Sequence, residues 1–335
     1  MSEEENVIRV FDMFSGYGGA EFALKKAGIS HKCIGYSEIK KHAIKCFDKN
    51  HPGIKNYGDC SKITPSELPD FDLLTGGFPC QPFSEAGKHK GELDIRGTLF
   101  ADIVRIAEFK HPRWMLLENV KGLTFNNHKK TFDKILSELD RIEYNVYWKV
   151  MNSKDYGTPQ SRERVIFVCI RKDLKQSFEF PKEESLKIYL KDLIEKDVPE
   201  KYKFTEKRFN GFLKDRFPLG DDGHIVSVAI RNKNRSKHQQ LGLPYGTFPK
   251  QYHLVFNKDL GVSYAVKSAS HEFMVATMKL ENIRGLTPKE CFRLMGFFED
   301  EINLDGLSES QKYDLAGNGW DINLVSKIFK KMFSS

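Results

Sequence analysis

The segment VIRVFDMFSGYGG at residues 7–19 decides the fold class of this chain. Its first eight residues are mostly apolar and predict a buried β-strand, and the glycine-rich run SGYGG after them predicts a tight turn. Residues 20–27 have helical character and stop before Gly28. A glycine-rich turn between a strand and a helix can admit a nucleotide-like ligand at the carboxyl edge of a sheet. On this segment alone, a ligand site and a simple tight connection are equally favoured.

Short apolar runs alternate with helical patterns through the first half of the chain. The sequence predicts further strands at residues 33–37, 71–75, 114–117 and 165–170, and helices at 40–50, 99–109 and 131–139. This alternation is typical of βαβ units, in which helices cover both faces of a parallel sheet. We therefore expect an α/β fold with a Rossmann-like sheet.

The composition is that of a globular protein without a membrane segment. Of the 335 residues, 40% are hydrophobic and 30% are charged, and no apolar run approaches the length that spans a membrane. The N-terminus, MSEEENVIRV, lacks a signal-peptide pattern. The six cysteines form no Cys-x-x-Cys pair, which argues against a disulfide framework or a metal site and fits the cytoplasm.

One window of the chain is strongly basic. The formal net charge is +7, but residues 223–258 contain no Asp or Glu, where the average rate of the chain predicts about five. Arg231, Lys233, Arg235 and Lys237 lie in this window. A basic surface suits a polyanion such as nucleic acid, although a solvated lysine-rich face explains the charge equally well.

The alternating pattern ends after residue 171, which predicts a second, smaller domain. Residues from about 175 to 280 are rich in Lys, Asn, Phe and Pro, and no regular alternation continues there. Helical periodicity returns at residues 287–295 and 321–332. We expect a first domain at residues 1–178, a second domain with a hinge at 179–310, and a C-terminal helix at 311–335 that returns to the first domain.

Polar and nucleophilic side chains lie close in sequence to the ends of the predicted strands. Because parallel strands end at one rim of a sheet, we expect these side chains to lie close together. One of them is a thiol in the segment GGFPCQPFS at residues 76–84, where prolines stiffen the loop. Each residue alone favours a simpler explanation, such as a helix cap, a buried thiol or a surface ion pair. The residues are Glu38, Asp59, Cys80, Glu118, Arg162 and Arg164.

Eight motifs follow one another in a distinctive order. They are FDMFSGYGG, YSE, GD, GGFPCQPFS, ENVKG, QSRERV, RGLTPKECFRLMGF and GNGWDINLV. This order resembles that of the DNA (cytosine-5)-methyltransferases, in their compact bacterial or phage form. The resemblance covers most of the chain outside about residues 180–280. It implies a Rossmann-like methyltransferase sheet and makes the second domain a target-recognition domain.

The resemblance implies methyl transfer from S-adenosylmethionine to carbon 5 of a cytosine flipped out of duplex DNA. Cys80 would attack carbon 6 as a thiolate, because an ionised thiol is a strong nucleophile near neutral pH. Glu118 would protonate or hydrogen-bond ring nitrogen 3 and so limit the charge on the pyrimidine. Arg162 and Arg164 would bind the carbonyl oxygen and a nearby phosphate, and hold the thiolate and the carboxylate in place.

The resemblance also implies the S-adenosylmethionine site. Phe14 would lie against the adenine, Glu38 would hold the ribose hydroxyls, and Asp59 would accept from the adenine amino group. Asn318 would close over the methionine end. The full set of implied cofactor-binding residues is Phe14, Gly16, Gly18, Glu38, Ile39, Asp59 and Asn318.

Three positions depart from the family pattern. Ile39 replaces a tryptophan that many members carry, so an aliphatic side chain would cover the adenine. Gly319 and Trp320 replace Ser or Ala and then Val, and we expect Trp320 to fill core between the last helix and the sheet. In the variable region, Lys267-Ser268 aligns poorly with the usual Thr and aliphatic residue that help to hold the flipped base.

The implied partner is double-stranded DNA, bound by a monomer, with Arg231, Lys233, Arg235 and Lys237 mainly on phosphates. A cognate restriction endonuclease system, without a stable complex, is a further candidate partner. Three alternatives remain open: a tRNA cytosine-5 methyltransferase, a non-catalytic nucleic-acid-binding protein, and a nicotinamide-dependent oxidoreductase. The spacer of about 100 residues before RGLTPKE disfavours the first, and the intact catalytic motifs disfavour the other two.

Overall fold

The computed structural model describes residues 7–79, 98–203, 225–232, 252–256, 261–266, 273–277 and 284–334. Several predicted site residues lie outside these ranges, and for Arg231 only the backbone is described. Those outside are Cys80, Lys233, Arg235, Lys237, Lys267 and Ser268.

A six-stranded sheet forms the centre of the first domain. Its strands lie in the order β2-β1-β3-β4-β7-β5, and the first four run parallel. The strands are β1 (Ile8–Met13), β2 (His31–Ser37), β3 (Leu73–Gly77), β4 (Trp114–Val120), β5 (Tyr144–Asn152) and β7 (Glu163–Arg171). The short strand β6 (Gln160–Ser161) lies just before β7.

Helices cover both faces of this sheet, as the sequence predicts. On one face, α1 (Gly19–Ala27), α2 (Lys41–Asn50) and α8 (Ile322–Phe333) share a core with Val10, Leu73 and Val168. On the other face, α3 (Leu99–Lys110) and α4 (Lys129–Arg141) pack around Phe11 and Leu74. Successive residues of β1 and β3 thus point to opposite cores, which explains the consecutive apolar residues Val10-Phe11 and Leu73-Leu74. The α/β fold with a Rossmann-like sheet is confirmed.

One edge of the sheet differs from the all-parallel arrangement expected from the sequence. Strand β7 runs antiparallel to both β4 and β5. The sequence did not predict β5, because most of its side chains are only half-buried and form no continuous apolar run. Short connections through β6 join β5 and β7, and antiparallel strands can be joined in this way without a crossover helix.

A second, antiparallel sheet lies in the region where the alternating pattern is lost. Its order is β12-β11-β8-β9, formed by β8 (Ile225–Asn232), β9 (Tyr252–Phe256), β11 (Phe273–Thr277) and β12 (Arg284–Gly285). Strand β10 (Ser263–Tyr264) instead pairs with β6 and so joins the two regions. The short helix α5 (Leu190–Leu193) precedes this sheet in the chain, and Leu190 and Leu193 pack into the core of the first domain.

The chain returns to the first domain earlier than the expected boundary at residue 310. Leu286, Phe292, Leu294, Met295 and Phe297 are all buried in the core cluster that contains β1 and α1. They lie around α6 (Pro288–Arg293), which packs against α7 (Glu309–Asn318). Packing therefore groups residues 286–307 with the first domain. Within the described ranges, no helix is long and apolar enough to cross a membrane.

Candidate active site

A cleft of about 710 Å³ lies at the carboxyl ends of the parallel strands. The sheet topology brings its lining together from segments spread over most of the chain. The predicted residues that line it are Phe14, Gly16, Glu38, Ile39, Asp59, Glu118, Arg162, Arg164 and Asn318. The predicted residues thus meet at one rim, as the strand-end argument requires. Gly18 does not line the cleft and has another role.

The turn after β1 has a backbone that favours glycine. Gly16 and Gly18 have φ angles of 56° and 85°, in the left-handed region, and Gly18 precedes the first residue of α1. A Cβ atom on Gly18 would lie 2.5 Å from the Nε2 atom of His51. His51 follows α2, and its ring packs against the rings of Phe47 and Phe22. The His51 ring therefore fills the space beside Gly18 and supports the turn. Burial lowers the pKa of His51, which favours its neutral form.

The carboxylate of Glu38 links this turn to the start of α2. One oxygen, Oε2, accepts a hydrogen bond from the backbone N–H of Gly16 at 3.0 Å. The other, Oε1, accepts from the backbone N–H groups of Ile39 and Lys40 at 2.8 and 2.9 Å. Three backbone donors therefore fix the position of Glu38 at the edge of the cleft, which leaves the outer lone pairs of its oxygens for a ligand hydroxyl.

Asn56 supports Glu38, although nothing in the sequence marks it as a site residue. Its side-chain oxygen accepts from the backbone N–H groups of Glu38 and Gly58, and its amide donates to the carbonyl of Glu38. Ser37 also donates to the carbonyl of Gly58. An Asn in a turn gives little signal in a single sequence, because this contact depends on β2 lying beside residue 56 in the fold.

Ile39 is exposed and Asp59 is half-buried at the mouth of the cleft. Asp59 accepts hydrogen bonds from the backbone N–H and the hydroxyl of Ser61, and these bonds hold its pKa below the usual range. Asp59 is thus an ionised acceptor at neutral pH. Ile39 is 68% exposed and lines the cleft, so it leaves an apolar surface open to a ligand.

Glu118 and Arg164 form an ion pair inside the cleft. Oε1 of Glu118 lies 2.7 Å from Nε of Arg164, and both side chains are mostly buried. Register pairing places Glu118 opposite Gly77, the last residue of β3. A Cβ atom on Gly77 would lie 3.3 Å from Oε2 of Glu118, so the second carboxylate oxygen faces the end of β3.

Arg162 makes contacts that differ from those expected. Its guanidinium is buried and donates hydrogen bonds to the backbone carbonyls of Val266, Gly317 and Gly319. Burial and, to a smaller extent, the nearby Arg164 together lower the pKa of Arg162 to about 9, but the group stays charged at neutral pH. In the described residues, Arg162 thus ties β7 to the chain around α7 rather than presenting its donors to an anion.

The C-terminal segment closes the cleft on the side of α7. The hydroxyl of Tyr17 donates to the carbonyl of Trp320, and a Cβ atom on Gly319 would lie 2.0 Å from the Tyr17 ring. Trp320 is buried in the main core and does not line the cleft, which confirms the role expected for it. Asn318 is exposed, and its amide donates to the carboxylate and carbonyl of Asp314.

Cys80 lies outside the described residues, but the residues before it are in the cleft. Phe78 and Pro79 line the cleft, and the amide of Asn119 donates to the carbonyl of Phe78 at 3.1 Å. The other cysteines, Cys33, Cys46, Cys60, Cys169 and Cys291, are all buried. Burial raises the pKa of Cys46 and Cys60 to about 12 and that of the other three further, so none is a good source of thiolate. No group of three metal-ligating side chains occurs within the described part of the chain.

Comparisons with known proteins agree with this arrangement. The model of the C-5 cytosine-specific DNA methylase family matches residues 8–334. The Type II methyltransferase M.HaeII of Haemophilus aegyptius is 35% identical, over 98% of this chain and 93% of its own. M.HhaI of Haemophilus parahaemolyticus is 31% identical over 98% and 95%, and M.DsaV of Dactylococcopsis salina is 32% identical over 99% and 87%.

Solved structures share the fold at lower identity. A DNMT2 mutant from Spodoptera frugiperda superposes with a TM-score of 0.68 at 21% identity, over 97% of this chain and 99% of its own. A putative DNA modification methyltransferase from an E. coli prophage gives a TM-score of 0.65 at 18% identity, over 98% and 99%. These likenesses concern the fold alone.

Proposed function

The chain belongs to the C-5 cytosine-specific DNA methylase family, and from that premise we propose that the cleft at the carboxyl end of the sheet is its methyl-transfer site. The protein is a DNA (cytosine-5-)-methyltransferase, and S-adenosylmethionine is its methyl donor. The observation that supports this site is the Glu118–Arg164 ion pair at the end of β4, in the same cleft as Glu38 and Pro79. DNA is favoured over tRNA as substrate because the matched family is a DNA methylase family.

The residues of the cleft fit S-adenosylmethionine. Bound there, the donor would supply a methyl group made electrophilic by the positive sulfonium. Glu38 is fixed by three backbone donors and can still accept from ribose hydroxyls. Phe14 and the exposed Ile39 offer apolar surface for the adenine, and Asp59 is an acceptor within reach of the same pocket. Asn318 would close the site from α7.

Cys80 would be the nucleophile. It directly follows Pro79, which lines the cleft, and the bond from Asn119 to the carbonyl of Phe78 anchors the strand end that leads to it. The thiolate would form a bond to carbon 6 of cytosine, and the displaced electron pair would make carbon 5 nucleophilic. After carbon 5 takes the methyl group, a base removes its proton and elimination releases the thiolate.

Glu118 and Arg164 would control the charge on the pyrimidine. Arg164 holds Oε1 of Glu118, so Oε2, which faces the end of β3, is the oxygen that would meet ring nitrogen 3. Arg164 would also reach the carbonyl oxygen of the base. Because the guanidinium of Arg162 already donates to buried backbone carbonyls, Arg162 would have a supporting role and hold the chain around α7 against β7.

The target base must leave the helix to reach this cleft, because stacking covers the faces of a paired cytosine. We propose that the region between β7 and α6 reads the DNA, with Arg231, Lys233, Arg235 and Lys237 on phosphates.

We further propose a cytoplasmic monomer that modifies DNA as one half of a restriction-modification pair. The relatives named Type II methyltransferases support the pairing with a nuclease, with which the protein would form no stable complex.

A parallel assay tests the substrate. The purified protein, with labelled S-adenosylmethionine, is expected to label duplex DNA and leave tRNA unlabelled. Bisulfite sequencing of plasmid DNA from cells that express the protein should then show one short methylated motif. Label on tRNA with none on DNA would contradict the proposal.

A further inference from the structure

Asp314 holds three side chains at the mouth of the cleft. Its Oδ2 atom accepts from Nζ of Lys40 at 2.9 Å and lies 2.8 Å from Nε2 of His42. Its Oδ1 atom accepts from the amide of Asn318 at 2.8 Å. We call Lys40, His42, Asp314 and Asn318 the Asp314 clamp.

The clamp joins the two sides of the cleft. Lys40 lines the cleft next to Glu38 and Ile39, while Asp314 and Asn318 line it from α7. These sides are distant in sequence, since Lys40 and Asp314 are 274 residues apart. The backbone N–H of Lys40 also donates to Oε1 of Glu38, so the clamp acts on the same short segment that fixes Glu38.

The environment of Asp314 differs from that of an isolated surface ion pair. The exposed fractions of the side chains are 28% for Asp314, 20% for His42 and 49% for Lys40. Burial would raise the pKa of Asp314, but the hydrogen bonds from Lys40 and His42 outweigh it and hold this pKa below the usual range. One partly buried carboxylate with three donors restricts more chain than a single exposed pair does.

We propose that Asp314 is a positioning residue for S-adenosylmethionine, because its clamp holds the Glu38–Lys40 segment against α7. This inference rests on the proposed cofactor site and adds to it a residue that need not touch the ligand. Without the clamp, the two sides of the cleft must be ordered when the ligand binds, and that ordering weakens affinity.

A double-mutant cycle tests the clamp. Lys40→Ala, Asp314→Ala and the double variant are compared with the wild type by calorimetric titration with S-adenosylmethionine. Each single variant should bind about tenfold more weakly, and the double variant should bind no more weakly than the weaker single, because one shared interaction has been lost. Asp314→Asn, which keeps the shape but not the charge, should resemble Asp314→Ala.

Two control variants match the clamp in type and place. Lys41→Ala removes an exposed lysine from the first turn of α2, and Asp305→Ala removes an exposed acid that lies before α7. Both should bind the ligand as the wild type does. Thermal unfolding of every variant separates loss of fold from loss of affinity, and half-exposed Lys40 can be truncated without opening the core.

The possible outcomes distinguish an error in the clamp proposal from an error in the proposed cofactor site on which it rests. If the wild type does not bind S-adenosylmethionine, the proposed site itself is wrong. If the wild type binds but Lys40→Ala and Asp314→Ala bind equally well, or if their effects simply add, the clamp is wrong and the site stands.

Discussion

The residues of the site gain their roles from backbone contacts. Glu38 is an ordinary acid in the sequence, yet in the fold three backbone N–H groups aim it at the cleft. A charged acceptor with several donors is held more firmly than a free carboxylate, and charge-assisted hydrogen bonds are stronger than neutral ones. The same logic explains why Asn56 matters, since it bonds the backbone N–H and carbonyl of Glu38 and the N–H of Gly58, which precedes Asp59.

Replacing Glu38 with Ala should weaken S-adenosylmethionine binding strongly. A hydrogen bond to a charged group contributes roughly 1.5–3 kcal/mol, so the dissociation constant should rise roughly tenfold to a hundredfold. Asp59→Ala should weaken binding in the same direction. Calorimetry measures both, and Glu67→Ala, which removes an exposed acid outside the cleft, serves as the control. Unchanged affinity in both variants would remove Glu38 and Asp59 from the site.

Among the helices and strands, the sequence predicts those whose side chains are buried along most of their length. Strands such as β3 and β7 are apolar on both faces because cores lie on both sides of the sheet, so a single sequence reveals them. Strand β5 is half-buried at the sheet edge, and α7 is short and mostly polar, so neither gave a periodic signal. Asp314 was not predicted for a different reason, because its partners Lys40 and His42, at the start of α2, become its neighbours only in the fold.

The departure at Gly319 also has a physical cause at this scale. The turn between α7 and α8 passes so close to Tyr17 that any Cβ atom at position 319 would overlap its ring. Gly319 has an extended backbone with φ near −80°, so the requirement for glycine here is steric and not conformational. The residue at 17 therefore determines which residue fits at 319.

Gly319→Ala should destabilise the protein, and a smaller residue at position 17 should reduce the cost of this substitution. Overpacking a buried contact costs about 1–3 kcal/mol, which thermal or urea unfolding can measure. Tyr17→Leu itself removes a buried ring and its hydrogen bond to Trp320, so the cost of Gly319→Ala is compared in the wild type and in Tyr17→Leu, and it should be smaller in Tyr17→Leu. Gly122→Ala is the control, since its Cβ would only touch Val120 at 3.9 Å. An equal cost of Gly319→Ala in both backgrounds would contradict the steric explanation.

For the chain as a whole, the direction of the strands in one mixed sheet explains the order of the motifs. Strands β1 to β4 run in one direction, so the segments that follow them meet at one rim although they are spread along the chain. Strand β7 runs the other way, so its first residues, which include Arg164, reach the same rim. The C-terminal segment returns to this rim through Arg162 and the Asp314 clamp.

The order of the motifs predicts which residues share the cleft better than it predicts which atoms each side chain contacts. The motif order placed Glu118 and Arg164 in one cleft, and the fold pairs them directly. It could not reveal that Arg162 points to backbone carbonyls, because that depends on where α7 packs. Roles that depend on position along one strand are thus readable from sequence, whereas roles that depend on packing between distant segments are not.

Covalent trapping tests most directly whether Cys80 attacks a flipped cytosine in this cleft. Fluorine at carbon 5 cannot leave as a proton does, so a duplex with 5-fluorocytosine at the target should stall the reaction after methylation. We predict a complex that survives denaturation, requires S-adenosylmethionine and maps to Cys80 by peptide analysis. It should be absent in Cys80→Ala, which should still bind S-adenosylmethionine. An adduct on Cys60 or Cys291, or full methylation by Cys80→Ala, would show that Cys80 is not the nucleophile.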